Sequence, residues 1–113
     1  MAKVLIIESL KSEVLKKFKE ESKIIFRQMR KLEETPTKGK ALGNVAGIVI
    51  KELRYKSFRF YFITDGNQLK IIDKENLINL LIKFVRISDK KHQQQTINEI
   101  KQVLINIGFE GFE

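Results

Sequence analysis

The stretch that decides the fold is residues 52–63, which read ELRYKSFRFYFI. In an extended strand, successive side chains point to opposite faces of the sheet. Three phenylalanines of this stretch then share one face, which we expect to be buried: Phe58, Phe60 and Phe62. Arg59 and Tyr61 share the other face, where a guanidinium and a phenol can hold a phosphate and a nucleotide base. The alternative interpretation is a half-buried antiparallel strand whose polar face is merely solvated.

Strand and helix patterns precede this stretch. Residues 3–8 (KVLIIE) are a short apolar run with β-branched side chains, which predicts a buried strand. Apolar residues at helical spacing then predict two helices, 10–20 and 23–34, with Ser9 as the N-cap of the first. The single proline, Pro36, ends the second helix because it cannot donate to the helical hydrogen-bond ladder. We therefore expect a helical hairpin after the first strand.

A glycine-bearing connection over residues 35–47 links the hairpin to the central strands and is predicted to be a loop. It lacks the lysine followed by serine or threonine that a phosphate-binding P-loop requires. Residues 48–54 and 58–64 are predicted strands, joined by a short turn at 55–57. This part of the chain is therefore expected to form an antiparallel pair of strands.

The second half of the chain is predicted to continue the meander and close with a helix. The Asp-Gly-Asn sequence at 65–67 is a hairpin turn signal, so residues 68–73 are expected to pair back as a strand. Residues 77–87 are apolar and fit either strand or helix by periodicity, and their β-branched end favours a central strand. A polar turn at 88–91 then leads into a helix over 93–107.

The order of these elements predicts the fold class. A strand, two helices, a run of strands and a helix are typical of an α+β domain, with helices segregated from a mostly antiparallel sheet. We expect an N-terminal strand and helical hairpin, a curved and mostly antiparallel sheet, and a C-terminal helix. A length of 113 residues suits one domain, so residues 1–113 are assigned to a single domain.

Composition and charge bound the partners and the compartment. Lys and Arg number 22 against 14 Asp and Glu, a formal net charge of +8 that attracts polyanions. Nucleic acid is the first candidate, ahead of an acidic protein and an anionic membrane surface. The sequence has no cysteine, which excludes disulfides and thiolate metal sites and favours a reducing cytoplasm. His92 is the single histidine, so a histidine cluster for zinc is excluded.

Membrane insertion is not expected from this sequence. No apolar run approaches the ~18 residues needed to span a bilayer. The opening residues MAKVLIIESL have a short apolar run without a small-residue cleavage site, so they predict a strand and not a signal peptide.

Two blocks of the sequence carry a resemblance to a known family. The first, GIVIKELRYKSFRFYFI at 47–63, has a glycine, a strand ending in Glu-Leu-Arg, a short turn, and a strand opening with an aromatic residue and an arginine. The second, LINLLIKFVRISDKKHQQQTINEIKQV at 77–103, has a phenylalanine–valine pair, basic residues, a polar turn and a Glu-Ile-bearing helix. Over nearly its whole length the chain resembles the RelE/ParE toxin superfamily, especially its HigB-like branch of phage-derived proteins.

The resemblance implies a toxin of a toxin–antitoxin pair. Many members are ribosome-dependent endoribonucleases (mRNA interferases) that cut messenger RNA and inhibit growth. No metal is needed if guanidinium groups stabilise the phosphorus centre, and no small-molecule cofactor is expected. The implied partners are a cognate antitoxin, the ribosome and mRNA. The alternative is a non-catalytic inhibitor, like the ParE branch that acts on DNA gyrase, or a protein-binding module on the same fold.

The resemblance also implies site residues. Arg54 closes the Glu-Leu-Arg motif, and Arg59 matches the arginine that contacts the scissile phosphate in catalytic members. Arg86 matches the basic residue after the phenylalanine–valine pair. Two positions depart from the pattern: Glu52 stands where RelE-branch ribonucleases often carry lysine, and Ile87 replaces a basic residue.

RNA cleavage through the 2′-hydroxyl needs proton transfer as well as cations at the phosphate. The candidate proton-transfer groups are His92, Tyr55, Tyr61 and Lys56. His92 titrates nearest neutrality, and Lys56 would need a pKa depressed by neighbouring cations. Lys83 and Arg86 have opposite parity, so both can serve only if their strand bulges between them. The residues expected to contact RNA are Lys83, Lys90, Lys91, Tyr55 and Tyr61.

Overall fold

The chain folds as a strand, a helical hairpin, a meander of strands and a long closing helix. A computed structural model describes residues 2–70 and 80–113. Its strands are β1 (Lys3–Ile6), β2 (Lys40–Val45), β3 (Ile48–Tyr55), β4 (Phe58–Asp65) and β5 (Leu81–Asp89). Its helices are α1 (Glu8–Phe18), α2 (Ser22–Arg30), α3 (Gly66–Lys70) and α4 (Gln93–Asn106). Short 3-10 turns occupy Lys19–Glu21, Lys31–Glu33 and Phe109–Gly111.

The described strands form one sheet in the order β1-β5-β4-β3-β2. The pairs β2–β3, β3–β4 and β4–β5 are antiparallel, whereas β1 joins the edge of β5 in parallel. The sheet is therefore mixed and mostly antiparallel, and the predicted α+β class is confirmed.

The aromatic face of β4 packs against the helical hairpin, as its alternation predicts. Phe60 and Phe62 are fully buried and Phe58 is half-buried. Phe18, at the end of α1, meets Phe58 edge-to-face at 5.0 Å between ring centroids and lies 6.0 Å from Phe60. On the same face Phe62 contacts Phe84 of β5 at 4.8 Å. These rings hold the hairpin to the sheet through a large shared apolar surface.

The opposite face of the sheet, which carries Arg59 and Tyr61, is covered by α4. The apolar stripe of α4 is buried: Ile97, Ile100 and Leu104. The side chain of Lys101 in α4 approaches Gly43 of β2, at the far side of the sheet. Tyr61 is consequently 0% exposed, so the prediction that this face presents its phenol openly is wrong. A periodic stripe shows that a helix is amphipathic, but it does not say which face of the sheet it covers.

A bulge in β5 changes which of its residues share a face. Tyr61 pairs with Arg86, whereas the next residue of β4, Phe62, pairs with Phe84. Val85 is therefore the extra residue of a β-bulge. Lys83 and Arg86 consequently lie on the same face. The bulge that the two residues need in order to act together is therefore present.

Two predicted elements in the middle of the chain are wrong. The expected loop at 35–47 contains the strand β2, an edge strand of exposed and half-buried residues with a glycine and an asparagine that weaken the strand signal. The expected hairpin turn at 65–67 is instead the start of α3. Asp65 Oδ1 accepts hydrogen bonds from the backbone N–H groups of Asn67 (2.8 Å) and Gln68 (3.3 Å), so the aspartate caps a helix.

The same correction removes part of the fourth predicted strand. Residues 68–70 of the expected strand 68–73 belong to α3, and residues 71–73 lie outside the described residues. The expected strand 77–87 is confirmed from Leu81 onward, and residues 77–79 also lie outside the described ones.

Several predicted boundaries shift by a few residues. β1 ends at Ile6, and α1 begins at Glu8, so Ser9 lies inside the helix and is not its cap. β5 continues through the expected turn to Asp89, because Ser88 and Asp89 pair with the start of β4. α2 ends at Arg30 and passes into a 3-10 turn before Pro36.

Two glycines offer a test of how tightly the segment before β2 packs on the sheet. A Cβ at Gly39 (φ 107°) would lie 2.8 Å from Phe62 Cζ and 3.1 Å from the Glu52 carbonyl oxygen. A Cβ at Gly47 (φ 84°) would meet no described atom within 4 Å. We predict that Gly39→Ala lowers the free energy of unfolding by about 2–4 kcal/mol, through steric overlap added to backbone strain.

The matched control is Gly47→Ala, which we expect to cost about 1 kcal/mol from backbone strain alone. Urea denaturation monitored by circular dichroism measures both losses. Equal losses in the two variants would contradict the close packing of Gly39 against Phe62.

Candidate nucleic-acid interface

Two arginines lie directly opposite each other near the turn between β3 and β4. The register of these strands pairs Arg54 with Arg59, which puts both side chains on the face covered by α4. Arg59 is only 6% exposed, whereas the Arg54 side chain is 58% exposed. Like charges directly opposite in a sheet repel each other. An anion bound between the two would relieve that repulsion.

The guanidinium of Arg59 has a hydrogen-bond donor without an acceptor among the described residues. Its Nη1 donates to the carbonyl of Ser57 at 3.1 Å. Its Nε is buried and has no acceptor among residues 2–70 and 80–113. A buried donor left without an acceptor costs about 1–3 kcal/mol. A phosphate oxygen is a natural acceptor for such a group, because guanidinium donors match phosphate geometry.

A buried carboxylate adjoins this arginine pair. The Glu52 side chain is 1% exposed, and its Oε1 accepts a bond from Arg54 Nε at 3.3 Å. Its other oxygen, Oε2, has no hydrogen-bond partner in the described part of the chain. In the sequence, Glu52 stands out only as a departure from the pattern of the family that the chain resembles. The signal that could have found it is parity, since Glu52 and Arg54 alternate together onto one face of β3.

Tyr61 and Ser88 complete the group. The Tyr61 hydroxyl and Ser88 Oγ are 2.7 Å apart, and Ser88 pairs with Arg59 across β4 and β5. Burial raises the pKa of Tyr61, and the hydrogen bond with Ser88 offsets part of that rise. The phenol is therefore neutral near pH 7 and can donate a hydrogen bond. We call five residues the Arg59 cluster: Glu52, Arg54, Arg59, Tyr61 and Ser88.

Arg86 shares this face, but its guanidinium turns away from the cluster. Its Nε pairs with Glu99 of α4 at 2.7 Å, and its Nη1 donates to the Val85 carbonyl. The group lies 5.1 Å from the centre of the Phe112 ring. It lines a different groove of about 550 Å³ between α1, α4 and the C-terminal segment. The structure therefore does not bring its charge to Arg59.

The Lys83 side chain also contacts other residues of the chain and not solvent. It is 4% exposed, its Nζ donates to the Phe109 carbonyl at 2.9 Å, and it lies 4.9 Å from the centre of the Phe109 ring. The RNA contact predicted for Lys83 would therefore require the segment around Phe109 to move.

Lys56, in the turn between β3 and β4, is stabilised in its charged form by a carboxylate of the hairpin. Its Nζ pairs with Glu21 of the hairpin at 2.7 Å, and the hydrogen bond and charge of Glu21 raise the pKa of Lys56. Proton transfer by Lys56 would need a depressed pKa, and the contact with Glu21 shifts the pKa in the opposite direction. Tyr55 is half-buried, with its ring 6.2 Å from Phe18 and 5.5 Å from Lys56 Nζ. Its phenyl ring contributes to packing on the hairpin.

His92 lies at the same end of the sheet, just before α4. Asp89 Oδ1 accepts hydrogen bonds from the His92 backbone N–H at 2.9 Å and from Nδ1 at 2.8 Å. The backbone hydrogen bond, followed by the side-chain one, lowers the pKa of Asp89. Lys90 and Lys91 are exposed beside this pair. These three candidates thus lie near the β3–β4 turn, since Asp89 pairs with Phe58.

Comparison with known proteins adds no assignment to this geometry. No family model matches the chain, and neither a curated protein nor a solved structure matches it at a significant level. Among the described residues, no helix combines the length and apolar character that crossing a bilayer requires. Within the same residues, no group of three or more His, Asp or Glu side chains is placed to hold a metal ion.

The hydrogen bonds between Asp89 and His92 predict a pH dependence of stability. Because the folded pKa of Asp89 lies below the unfolded value of about 3.9, its contribution is present above pH 4 and is lost as the pH falls through the folded pKa. In Asp89→Asn the amide oxygen can still accept the hydrogen bond from the His92 backbone N–H, but it does not titrate. We therefore predict a shallower loss of unfolding free energy below pH 4 in this variant. Urea denaturation at a series of pH values measures it, and identical acid profiles for the two proteins would contradict it.

Proposed function

We propose that this protein is the toxin of a toxin–antitoxin pair, of the RelE/ParE type and its HigB-like branch, and that it cleaves messenger RNA on the ribosome. The observation that carries the proposal is the Arg54–Arg59 pair, in which a buried guanidinium has a donor without an acceptor in the described part of the chain. A scissile phosphate fits this arrangement. The net charge of +8 supports a polyanionic substrate.

The chemistry of the proposed reaction uses the Arg59 cluster. Arg59 holds the phosphate and stabilises the charge that develops on it, with Arg54 beside it. One such preorganised donor is worth about 3–4 kcal/mol in a transition state. Glu52 is the nearest carboxylate to these arginines and can accept a proton from the 2′-hydroxyl, while the neutral Tyr61 phenol donates hydrogen bonds. His92, held by Asp89, is the further candidate for protonating the leaving oxygen.

Access to Arg59 is a requirement of this proposal. Because Arg59 is 6% exposed, a phosphate reaches it only after the exposed Arg54 side chain or the covering helix α4 shifts. We propose that the ribosome-bound RNA makes that shift, which would keep the free protein inactive. The proposed site of action is the cytoplasm.

The second candidate function is a non-catalytic inhibitor, of gyrase or of another protein. The observations that favour it are the covered face and the engagement of Lys83 and Arg86 by the C-terminal segment, which leave few open catalytic groups. Two large apolar side chains near the end of α4, Ile105 (63%) and Ile107 (70%), are exposed. They suit a protein partner, and in either function an amphipathic helix of the cognate antitoxin is the proposed occupant.

The test of the enzymatic proposal is Arg59→Ala. We predict that induced wild-type protein arrests growth and cuts cellular mRNA, and that Arg59→Ala lowers cleavage by about 10²–10³-fold. Arg59→Lys should restore only part of it, because lysine keeps the charge but loses the planar fork. Primer extension on mRNA after induction measures the cuts.

The matched control is Arg30→Ala, which removes an exposed arginine from the end of α2. It should cleave and arrest growth like the wild type. Thermal unfolding of each purified variant establishes that it is folded. Undiminished toxicity in a folded Arg59→Ala variant would refute the assignment of Arg59. Growth arrest with stalled replication and uncut mRNA would favour the inhibitor.

A further inference from the structure

Residues 108–113, the C-terminal segment, follow α4 and approach β5. Gly108 has a φ of 106°, in the left-handed region that glycine adopts without steric cost. Its backbone N–H donates to the Val103 carbonyl at 3.1 Å, which satisfies a carbonyl at the end of α4. The 3-10 turn Phe109–Gly111 comes next. The turn at Gly108 therefore separates the segment from the helix and lets it contact the sheet.

Two cations of β5 lie against this segment. Lys83 Nζ donates to the Phe109 carbonyl at 2.9 Å and lies 4.9 Å from the centre of the Phe109 ring. The Arg86 guanidinium lies 5.1 Å from the centre of the Phe112 ring. A cation over the face of an aromatic ring is attracted to it. Because Lys83 is 4% exposed, a ligand in solution does not reach it while Phe109 stays in place.

The spacing of the two rings matches the spacing of the two cations. Phe109 and Phe112 are three residues apart along a 3-10 turn, in which side chains three residues apart point the same way. Lys83 and Arg86 are also three residues apart, and the bulge at Val85 puts both on one face of β5. Each ring therefore lies on one cation, and the segment covers the two cations together.

Open space borders the segment on both sides. A groove of about 550 Å³ has Gly111 and Glu113 in its wall, and a second groove of about 380 Å³ has Lys83 and Phe112 in its wall. Between them, Ser9 Oγ of α1 donates to the Glu113 carbonyl. The segment can consequently separate from β5 with a smaller loss of packing than an enclosed segment would suffer.

The segment offers the two cations the same chemical groups as a nucleic acid, except for one. Its sequence, FEGFE at 109–113, has two aromatic rings, two glutamates and no basic residue. RNA likewise presents rings that stack and negative charge. Neither Glu110 nor Glu113 forms an ion pair with a described residue. A phosphate would replace the neutral Phe109 carbonyl at Lys83 with a stronger, charge-assisted hydrogen bond.

We propose that Lys83 and Arg86 form a covered RNA-binding site, which the C-terminal segment occupies in the free protein. RNA competes with the segment: backbone phosphates bind the two cations, and the segment moves away about Gly108. Arg86 pairs with Tyr61 across β5 and β4, so the uncovered site continues the Arg59 cluster along the sheet. The inference rests on the proposed function for its choice of RNA, and it adds a step that keeps the affinity of the free protein for RNA low.

The first experiment removes the segment. Fluorescence anisotropy measures the binding of a labelled single-stranded oligouridylate, without ribosomes, over a range of salt concentrations. We expect the chain shortened after Gly108 to bind about tenfold more tightly. Its salt dependence should be steeper by about 1.4 in slope, because two further phosphates are contacted. The control Glu110→Gln/Glu113→Gln removes the charge of both glutamates but keeps both rings, so it should gain much less affinity.

A second pair of variants shows whether the gain comes from the covered cations. Lys83→Gln/Arg86→Gln should abolish the gain in the shortened chain but have little effect on RNA binding by the full-length chain. The control Lys16→Gln/Lys23→Gln removes the same charge from exposed positions on the hairpin. It should weaken binding equally in the two lengths. Circular dichroism establishes that each variant is folded.

A cross-link tests the movement in the full-length chain. Ser9 contacts the Glu113 carbonyl and the sequence has no cysteine, so Ser9→Cys/Glu113→Cys allows a single disulfide at this contact. Oxidation should hold the segment over Lys83 and Arg86 and weaken RNA binding about threefold, leaving only the exposed cations. Reduction should restore the affinity of the wild type. This comparison decides the question even if the shortened chain does not fold.

Three results would overturn the inference: no tighter RNA binding by a folded shortened chain, an equal gain in the glutamine control, and equal affinities of the oxidised and reduced cross-linked protein. Tighter binding of oligoglutamate than of oligouridylate by the shortened chain would overturn RNA as the ligand. Failure of the proposed function is separable from these results. Tighter RNA binding on shortening, with uncut mRNA in cells, rejects the ribonuclease and keeps the covered site. Cut mRNA with an RNA affinity unchanged by shortening does the reverse.

Discussion

The structure depends on the burial of β4 from both sides. This strand lies between β3 and β5, and every residue from Arg59 to Thr64 is buried. Its aromatic side packs on Phe18 of the hairpin, and its other side lies beneath α4. Because each helical layer has to cover one face of this strand, the alternation of its side chains orients both layers.

Buried charged side chains in β3 and β4 lower the stability of the fold. An arginine buried opposite another arginine, and a carboxylate with one oxygen left over, are each unfavourable. Groups of this kind persist where surrounding packing compensates, and they concentrate at functional sites. Lys83 and Arg86 differ in this respect, because each already has partners within the chain. A bound ligand would therefore stabilise Arg59 and Glu52, which lack partners for some atoms among the described residues, more than it would stabilise Lys83 and Arg86.

The sequence predicted what depends on local alternation and missed what depends on tertiary choice. The opposite faces of Phe60 and Arg59 follow from a period of two. The same period sets the condition that β5 must bulge if Lys83 and Arg86 are to share a face, but it does not predict the bulge. The sequence Asp-Gly-Asn does not distinguish a hairpin turn from a capped helix, because the same Asp65 side chain serves both. Whether Glu52 belongs to the candidate site depends on which residues of α4 and of the segment before β2 lie next to it. Those are long-range contacts that a single sequence does not encode in its spacing.

The parallel pairing of β1 with β5 has a consequence for biosynthesis. Lys3 pairs with Leu81, so β1 leaves the ribosome long before the strand it joins exists. Contacts this distant in sequence form late, and they slow folding. Until the two strands pair, β1 and the edge of β5 both expose backbone groups without partners, which are a template for wrong pairing between chains. Pairing with β1 covers that edge from Leu81 to Phe84.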